Sequence, residues 1–323
     1  MSVKVMDVLE HEKQFMRDAY CETMKSFAEN DKNIIVMDAD LMGAMGMKPF
    51  EEMYPEQTID CGIQEANMMG VACGLSAVGK IPYVHTFGPF ATRRIADQIF
   101  MSGVYAGSNV RIMGSDPGIM AQINGGTHMP FDDMGIMKGM PEMTVLEPTD
   151  CTMLKWLLKE TKDRYGMFYI RLVRKECTKV YSDDSIFEFG KAVTLREGTD
   201  VTIISSGYCV EESLKAAKTL ENEGISAKVM NIYCWKPIDE DAIVNAAKET
   251  GAIVTAENHT VVHGLGASVS SVLSKNIPVP VEMIGVQDEF GEVGNVAYLS
   301  DRFHLNAEYI AEAAKKAVSR KGV

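Results

Sequence analysis

The sequence predicts an α/β protein of two domains, each built on a mainly parallel sheet. Three observations carry that expectation. Short apolar runs alternate with longer segments of helical period, the pattern of strands joined by crossover helices. The alternation breaks over a polar, turn-rich stretch at 181–199 and then starts again. The 323 residues suffice for two domains with separate cores, and 46% hydrophobic with 24% charged residues is the balance of a globular chain.

In the first domain, placed at 1–182, strands are expected at 33–38, 58–62, 82–87, 110–114, 143–147 and 167–172. Helices are expected over 10–30, 65–78, 91–106 and 151–162, the last opening on Pro148-Thr149-Asp150, a helix-start signal. The second domain, placed at 190–323, begins with the strand VTIISS and a helix over 211–223. The strand SAKVMNIY, a helix over 239–250, the strands AIVTAEN and PVEMIG, and a final helix over 307–318 complete it.

A formal charge of −13 repels a phosphate backbone, so nucleic acid is not an expected partner. The opening MSVKVMDVLEHEKQFMRDAY lacks an uninterrupted apolar stretch, and no later segment has the ~18 apolar residues that spanning a bilayer requires. The expected location is the cytosol, away from membranes. Seven cysteines without a C-x-x-C pair read as buried thiols, and 23 methionines as gap-fillers in cores and interfaces.

The most informative segment is 59–100, IDCGIQEANMMGVACGLSAVGKIPYVHTFGPFATRRIADQIF. A strand ends at Gly62 and Glu65 falls in the first turn of a helix, where the helix dipole alone favours an acid. Phe87 and Phe90 have the i, i+3 spacing of ordinary core, and Asp40 at a strand end reads as a cap. None of these implies chemistry alone. As a set they resemble the transketolase family: Met37-Asp38-Ala39-Asp40-Leu41, Gly62-Ile63-Gln64-Glu65-Ala66-Asn67, Thr86-Phe87-Gly88-Pro89-Phe90, Gly126-Thr127-His128 and Pro141-Glu142-Met143 occur in the family's order and spacing. The late segment GVQDEFGEVGNVAYL is similar to the end region of transketolase C-terminal domains, so the resemblance covers nearly the whole chain.

The resemblance implies that 1–182 is a thiamine-diphosphate pyrimidine-binding domain and 190–323 a transketolase C-terminal domain. It implies that Glu65 hydrogen-bonds N1′ of the cofactor's aminopyrimidine. Sharing a proton there favours the imino tautomer, whose exocyclic nitrogen can take the C2 proton of the thiazolium. That role asks for a desolvated carboxyl. Phe87 and Phe90 match the aromatic platform on which the pyrimidine stacks, while Arg93 stands where many relatives have a third aromatic. Asp40 matches an acid close to the cofactor, and Ile119 is placed among the cofactor-binding residues. His128 matches a catalytic histidine that contacts the donor's hydroxyls.

For the substrate's anionic end, the resemblance offers Arg17 and Arg174, whose guanidinium groups suit phosphate or sulfonate. Two positions depart from the family's pattern: Asn124 where an Asp is usual, and Asp116 where sugar-phosphate enzymes place a phosphate-binding His. The family's GDG motif, which holds the magnesium diphosphate, occurs nowhere in the chain. A partner chain is therefore expected to carry the diphosphate and its Mg2+ or Ca2+, with two copies of each chain in an α2β2 assembly. The implied activity is transfer of a two-carbon ketol unit from a ketose to an aldose. The runners-up are 1-deoxyxylulose-5-phosphate synthase and the β subunit of 2-oxoacid dehydrogenases, with a noncatalytic binding partner as the reading from another class. His259 and His263 in HTVVH lack the Glu of a zinc helix, and GLGASV lacks the third glycine of a dinucleotide site, so neither metal nor NAD is assigned.

Overall fold

A computed structural model describes residues 3–322; residues 1, 2 and 323 of the expected spans lie outside the described residues. The first domain runs β1 (Val5–His11), α1 (Met16–Asn30), β2 (Ile34–Asp38), α2 (Lys48–Met53), β3 (Thr58–Asp60), α3 (Glu65–Ala77) and β4 (Ile81–Phe87). It continues with the short α4 (Gly88–Ala91) and α5 (Ala96–Gln98), then β5 (Val110–Ser115), α6 (Asp133–Lys138), β6 (Thr144–Leu146), α7 (Cys151–Lys162), β7 (Met167–Leu172) and β8 (Thr178–Tyr181). The second domain runs β9 (Val193–Arg196), β10 (Val201–Ser205), α8 (Cys209–Asn222), β11 (Ala227–Asn231), β12 (Cys234–Lys236) and α9 (Glu240–Thr250). It ends with β13 (Ile253–Thr260), α10 (Leu265–Asn276), β14 (Val281–Val286), α11 (Val296–Arg302) and α12 (Ala307–Ser319).

The first sheet has the order β12-β6-β7-β5-β4-β2-β3 and the second β14-β13-β10-β11-β9; within them only the edge strands β12 and β9 are antiparallel. Every residue of β2, β5, β7, β10 and β11 is buried. Apolar runs covered on both faces are what a parallel sheet between helical layers requires. Helix starts follow their caps: Asp150 Oδ1 accepts the Met153 N–H at 2.9 Å, and Asp239 Oδ1 the Ala242 N–H at 3.3 Å. Gly251, at φ 68°, closes α9 in the left-handed region. Among the described residues no helix is long and apolar enough to cross a membrane.

Three expectations are corrected. The helix read over 10–30 starts at Met16, because Val5–His11 pairs antiparallel with β8, a partner about 170 residues away that periodicity cannot reveal. The helix read over 91–106 is broken into short turns: Thr92 has φ −128° and ψ −89°, and its hydroxyl donates to the Gly88 carbonyl at 2.7 Å. The stretch 181–199 read as connection contains β9.

The two domains interlock. β12 leaves the second domain and extends the first sheet, Cys234 opposite Leu146 and Lys236 opposite Val145. Beside it Arg171, fully buried, donates Nε to Asp133 at 2.9 Å and Nη1 to Glu147 at 2.8 Å. Its Nη2 donates to the carbonyls of Pro130 at 2.8 Å and Asn258 at 3.0 Å. Glu147 also accepts from Ser206, which in turn accepts from Trp235 Nε1 at 2.9 Å. Buried charges persist only when partnered in this way.

Candidate functional site

Because β2, β3, β4, β5 and β7 are mutually parallel, the residues just past their carboxyl ends gather along one rim of the sheet, where open α/β sheets place their sites. Asp40 follows β2, Glu65 follows β3, Phe87 ends β4, Asp116 follows β5 and Arg174 follows β7. Gly62, at φ 66°, turns the chain between β3 and α3, so that Glu65 is the first residue of the helix.

Glu65 is buried, with its side chain 4% exposed, and its Oε1 accepts from Arg94 Nη1 at 2.7 Å. Sequence reasoning did not single out Arg94. Its Cζ lies 3.6 Å from the centre of the Phe90 ring, close enough for a cation–π contact. Phe90 in turn meets Phe87 at 6.0 Å and His128 at 5.2 Å between ring centroids, and Phe87 meets His128 at 5.8 Å. These edge and tilted arrangements leave Phe87 and Phe90 partly exposed. Arg93, at the position of the missing third aromatic, instead donates to Asp132 at 3.2 Å and to the Thr127 carbonyl at 3.1 Å, tying down the His128 loop.

That loop is held from the second domain. Asn258 accepts the Ile119 N–H at 3.0 Å and donates to the Pro117 carbonyl at 2.9 Å. At Gly126 an added Cβ would lie 2.2 Å from the Gly291 carbonyl oxygen, so only glycine permits this approach. Thr127 Oγ1 lies 2.9 Å from His128 Nδ1. Asn124 is exposed at the end of a short 3-10 turn. The placement of Ile119 is a correction: it is fully buried among Met129, Phe131, Val286 and Leu299, and its side chain offers no surface to a ligand.

Asp40 is exposed with φ 61°, its N–H donating to Asp60 Oδ1 at 3.0 Å. Beneath it lies a fully buried group the sequence did not announce. Asp38 touches His85 Nε2 and accepts the Leu41 N–H, while Tyr20 Oη lies 3.5 Å from His85 Nδ1. Burial pushes the Tyr20 hydroxyl well above its ordinary pKa. This group ties the Asp40 turn to the strand that ends in Phe87.

Arg174 Nε contacts Asp116 at 3.1 Å, with its Cζ 5.1 Å from the centre of the Phe87 ring. Ser115 Oγ also donates to Asp116, at 3.0 Å. Burial pushes the Asp116 carboxyl up, and Arg174 is the largest influence opposing it. Arg17 is turned elsewhere: its Nη1 donates to the Ala44 carbonyl at 3.0 Å and its Nε lies 3.6 Å from Asp18, so its backbone N–H, 3.4 Å from the Arg174 carbonyl, is what the structure brings beside Arg174. A cavity of about 730 Å3 lies behind this rim, between β8 and α8, lined by His11, Cys177, Tyr208 and Lys215 and reaching Val173 and Lys175 on either side of Arg174.

A buried carboxyl, two half-open aromatic faces and one flexible cation fit a flat heterocycle with a basic ring nitrogen. Such a ring can take from Arg94 both its hydrogen bond to Glu65 and its place on Phe90. The Asp40, Phe87 and Arg174 positions, reached from different strands, extend the same rim.

The transketolase pyrimidine-binding domain model matches residues 12–179, and the transketolase C-terminal domain model matches residues 190–310. The chain is 46% identical over 310 residues, 96% of each protein, to the 6-deoxy-6-sulfo-D-fructose transketolase subunit SqwH of Clostridium sp. (strain MSTE9). It is 34% identical over 305 residues to an apulose-4-phosphate transketolase subunit of Phocaeicola vulgatus, covering 94% of this chain and 97% of that one. Among solved structures, a split gene transketolase described as an inactive β4 tetramer superposes with a TM-score of 0.87 at 38% identity, over 95% of this chain and 99% of that one. Transketolase from Campylobacter jejuni shares the fold, with a TM-score of 0.77 at 19% identity over 92% of this chain and 46% of that one. The chain therefore belongs to the transketolase family of transferases, of which it carries the pyrimidine-binding and C-terminal domains.

Proposed function

We propose that this chain is one subunit of a two-chain, thiamine-diphosphate-dependent transketolase that moves a two-carbon ketol unit from a ketose with an anionic terminus to an aldose. The observation that carries the reading is Glu65, a buried carboxyl at the start of α3 linked through Arg94 to the partly exposed ring of Phe90 and its neighbour Phe87. When bound, the cofactor supplies an electron sink for breaking the carbon–carbon bond next to the ketose carbonyl. This chain's residues hold and orient. Glu65 keeps a proton at the ring nitrogen of the pyrimidine, Phe87 and Phe90 stack against the ring, and Asp40 places negative charge near the cofactor's cationic end. His128 contacts hydroxyls of the donor, with Asn124 in the same loop, and Arg174 with Asp116 faces the anionic terminus; Arg17 is the more distant candidate.

The proposed partner is a second polypeptide that grips the diphosphate through Mg2+ or Ca2+, in an assembly with two copies of each chain. Support comes from the chain's likeness, over nearly its full length, to proteins named as transketolase subunits. The relative named for 6-deoxy-6-sulfo-D-fructose makes a sulfonated ketose the first donor to test. A cytosolic place goes with this reading, since all seven cysteines are free thiols, as a reducing compartment keeps them.

The test is reconstitution with the partner subunit, magnesium and thiamine diphosphate, followed by ketol transfer from a panel of ketoses. Glu65→Gln should lower kcat by ~10²–10⁴-fold while leaving the fold intact by circular dichroism. A Gln variant of near wild-type activity removes Glu65 from the mechanism, and pyruvate decarboxylation without any ketose donor replaces the reaction.

A further inference from the structure

Among the described residues, Arg174 is the one whose guanidinium is brought to the aromatic rim at Phe87, and it does not stand alone. Its Nε is 3.1 Å from Asp116, a residue 4% exposed that is further held by Ser115 Oγ at 3.0 Å. Asp116 is built to stay there: it occupies the left-handed region at φ 59°, directly after β5, on the same rim as the platform. Any anion that reaches for Arg174 therefore meets a carboxylate of its own sign at the same guanidinium.

The other charges around this pair do not undo that. Lys175 is exposed and is followed by exposed Glu176, while the Arg17 side chain is engaged by Ala44 and Asp18. Arg174 with Asp116 sums to zero, and Lys175 is a further positive charge that acts on Asp116. That balance suits a ligand of one negative charge and opposes a ligand of two. A sulfonate stays singly charged at all ordinary pH, whereas a phosphate monoester carries between about −1.5 and −2 near pH 7 and gains its second charge near pH 6. Like charges forced together at a binding site carry a large penalty.

We infer that Asp116 is a specificity-determining residue, which selects ketoses ending in a singly charged anion over those ending in a phosphate dianion. The inference rests on the reading of the site as a ketol-transfer site and names its substrate class. Asp116 does not act on the reacting carbon. It sets the charge that the far end of the donor must carry.

The experiment uses the reconstituted two-chain enzyme with 6-deoxy-6-sulfo-D-fructose and D-fructose 6-phosphate as donors, in wild type, Asp116→Asn and Asp116→Gly. Both replacements tolerate a positive φ and remove the charge, so thermal melting should stay close to wild type. At pH 7.5 each variant should raise the phosphate-to-sulfonate ratio of kcat/KM by roughly tenfold or more. In wild type this ratio should also fall as pH rises through the phosphate's ionisation near 6, and in both variants that dependence should flatten. A ratio that moves in neither variant, with transfer still measurable, overturns the role of Asp116 while leaving the ketol-transfer reading in place. Equal loss of activity on both donors assigns Asp116 to a hydroxyl contact instead, and likewise overturns it. No transfer from any ketose in wild type overturns both.

Discussion

Arg94 and Glu65 form the most consequential pair at the level of single residues. The guanidinium donates to the carboxyl at 2.7 Å and covers Phe90 at 3.6 Å, the two contacts proposed for the aminopyrimidine. On this view cofactor and Arg94 compete. Arg94→Met keeps bulk over Phe90 but leaves the buried carboxyl without its partner in the free protein, which should tighten thiamine-diphosphate binding by about three- to tenfold. Fluorescence titration of the reconstituted complex measures it, and weaker binding would mean that Arg94 holds Glu65 for the cofactor rather than against it. Glu65, Phe87, Phe90 and His128 could be proposed from the sequence because each belongs to a local segment whose spacing survives folding. Arg94 and the Asp38–His85–Tyr20 group were not, since their meaning lies in which side chain from another strand or helix they meet. Ile119 was misplaced for the same reason: one-dimensional spacing cannot tell the cleft side of a loop from its core side.

At the level of elements, the broken segment after β4 and the loop before His128 matter most. A continuous helix over 91–106 would have carried Phe90 and Arg94 along one regular face; the Thr92 break instead lets Arg94 turn to Glu65 while Arg93 grips Asp132 and Thr127. The His128 loop depends on the second domain, because Gly126 sits where a methyl group would be 2.2 Å from the Gly291 carbonyl oxygen. Gly126→Ala should therefore force the loop and the Gly291 backbone apart, lowering the melting temperature and, by shifting His128, lowering kcat/KM by roughly 10- to 100-fold. Unchanged kinetics in this variant would show that the loop position does not control the reaction. Strands and capped helices such as α7 were legible from periodicity and Asp150. The strands β1, β9 and β12 were not, because each is an edge strand whose stability comes from a partner distant in sequence.

At the scale of the whole molecule, the two domains share a sheet edge and a buried ion cluster, and titration should report on the packing around it. Burial pushes the Glu257 carboxyl up to about 8, against the opposing pull of the Gly266 and Leu265 N–H groups and of Lys138. An acid whose folded pKa lies above its unfolded value of ~4.3 binds more protons in the native state between the two, so stability falls as pH rises through that window. Denaturant melts at pH 5 and pH 8.5 should show a loss of stability in wild type that Glu257→Gln reduces; an equal loss in both would mean that Glu257 is ionised in the fold. By itself the sequence determined the α/β class, the two-domain order and the family, and it named the residues proposed for the pyrimidine site, because apolar periodicity and local spacing are properties of contiguous chain. Only the tertiary structure decided that Arg94 covers Glu65, that Asp116 neutralises Arg174, and that the second domain lends a strand to the first sheet and clamps the His128 loop. Those outcomes are contacts between segments tens to more than a hundred residues apart, and the free energy that selects them exists only once the segments are packed together.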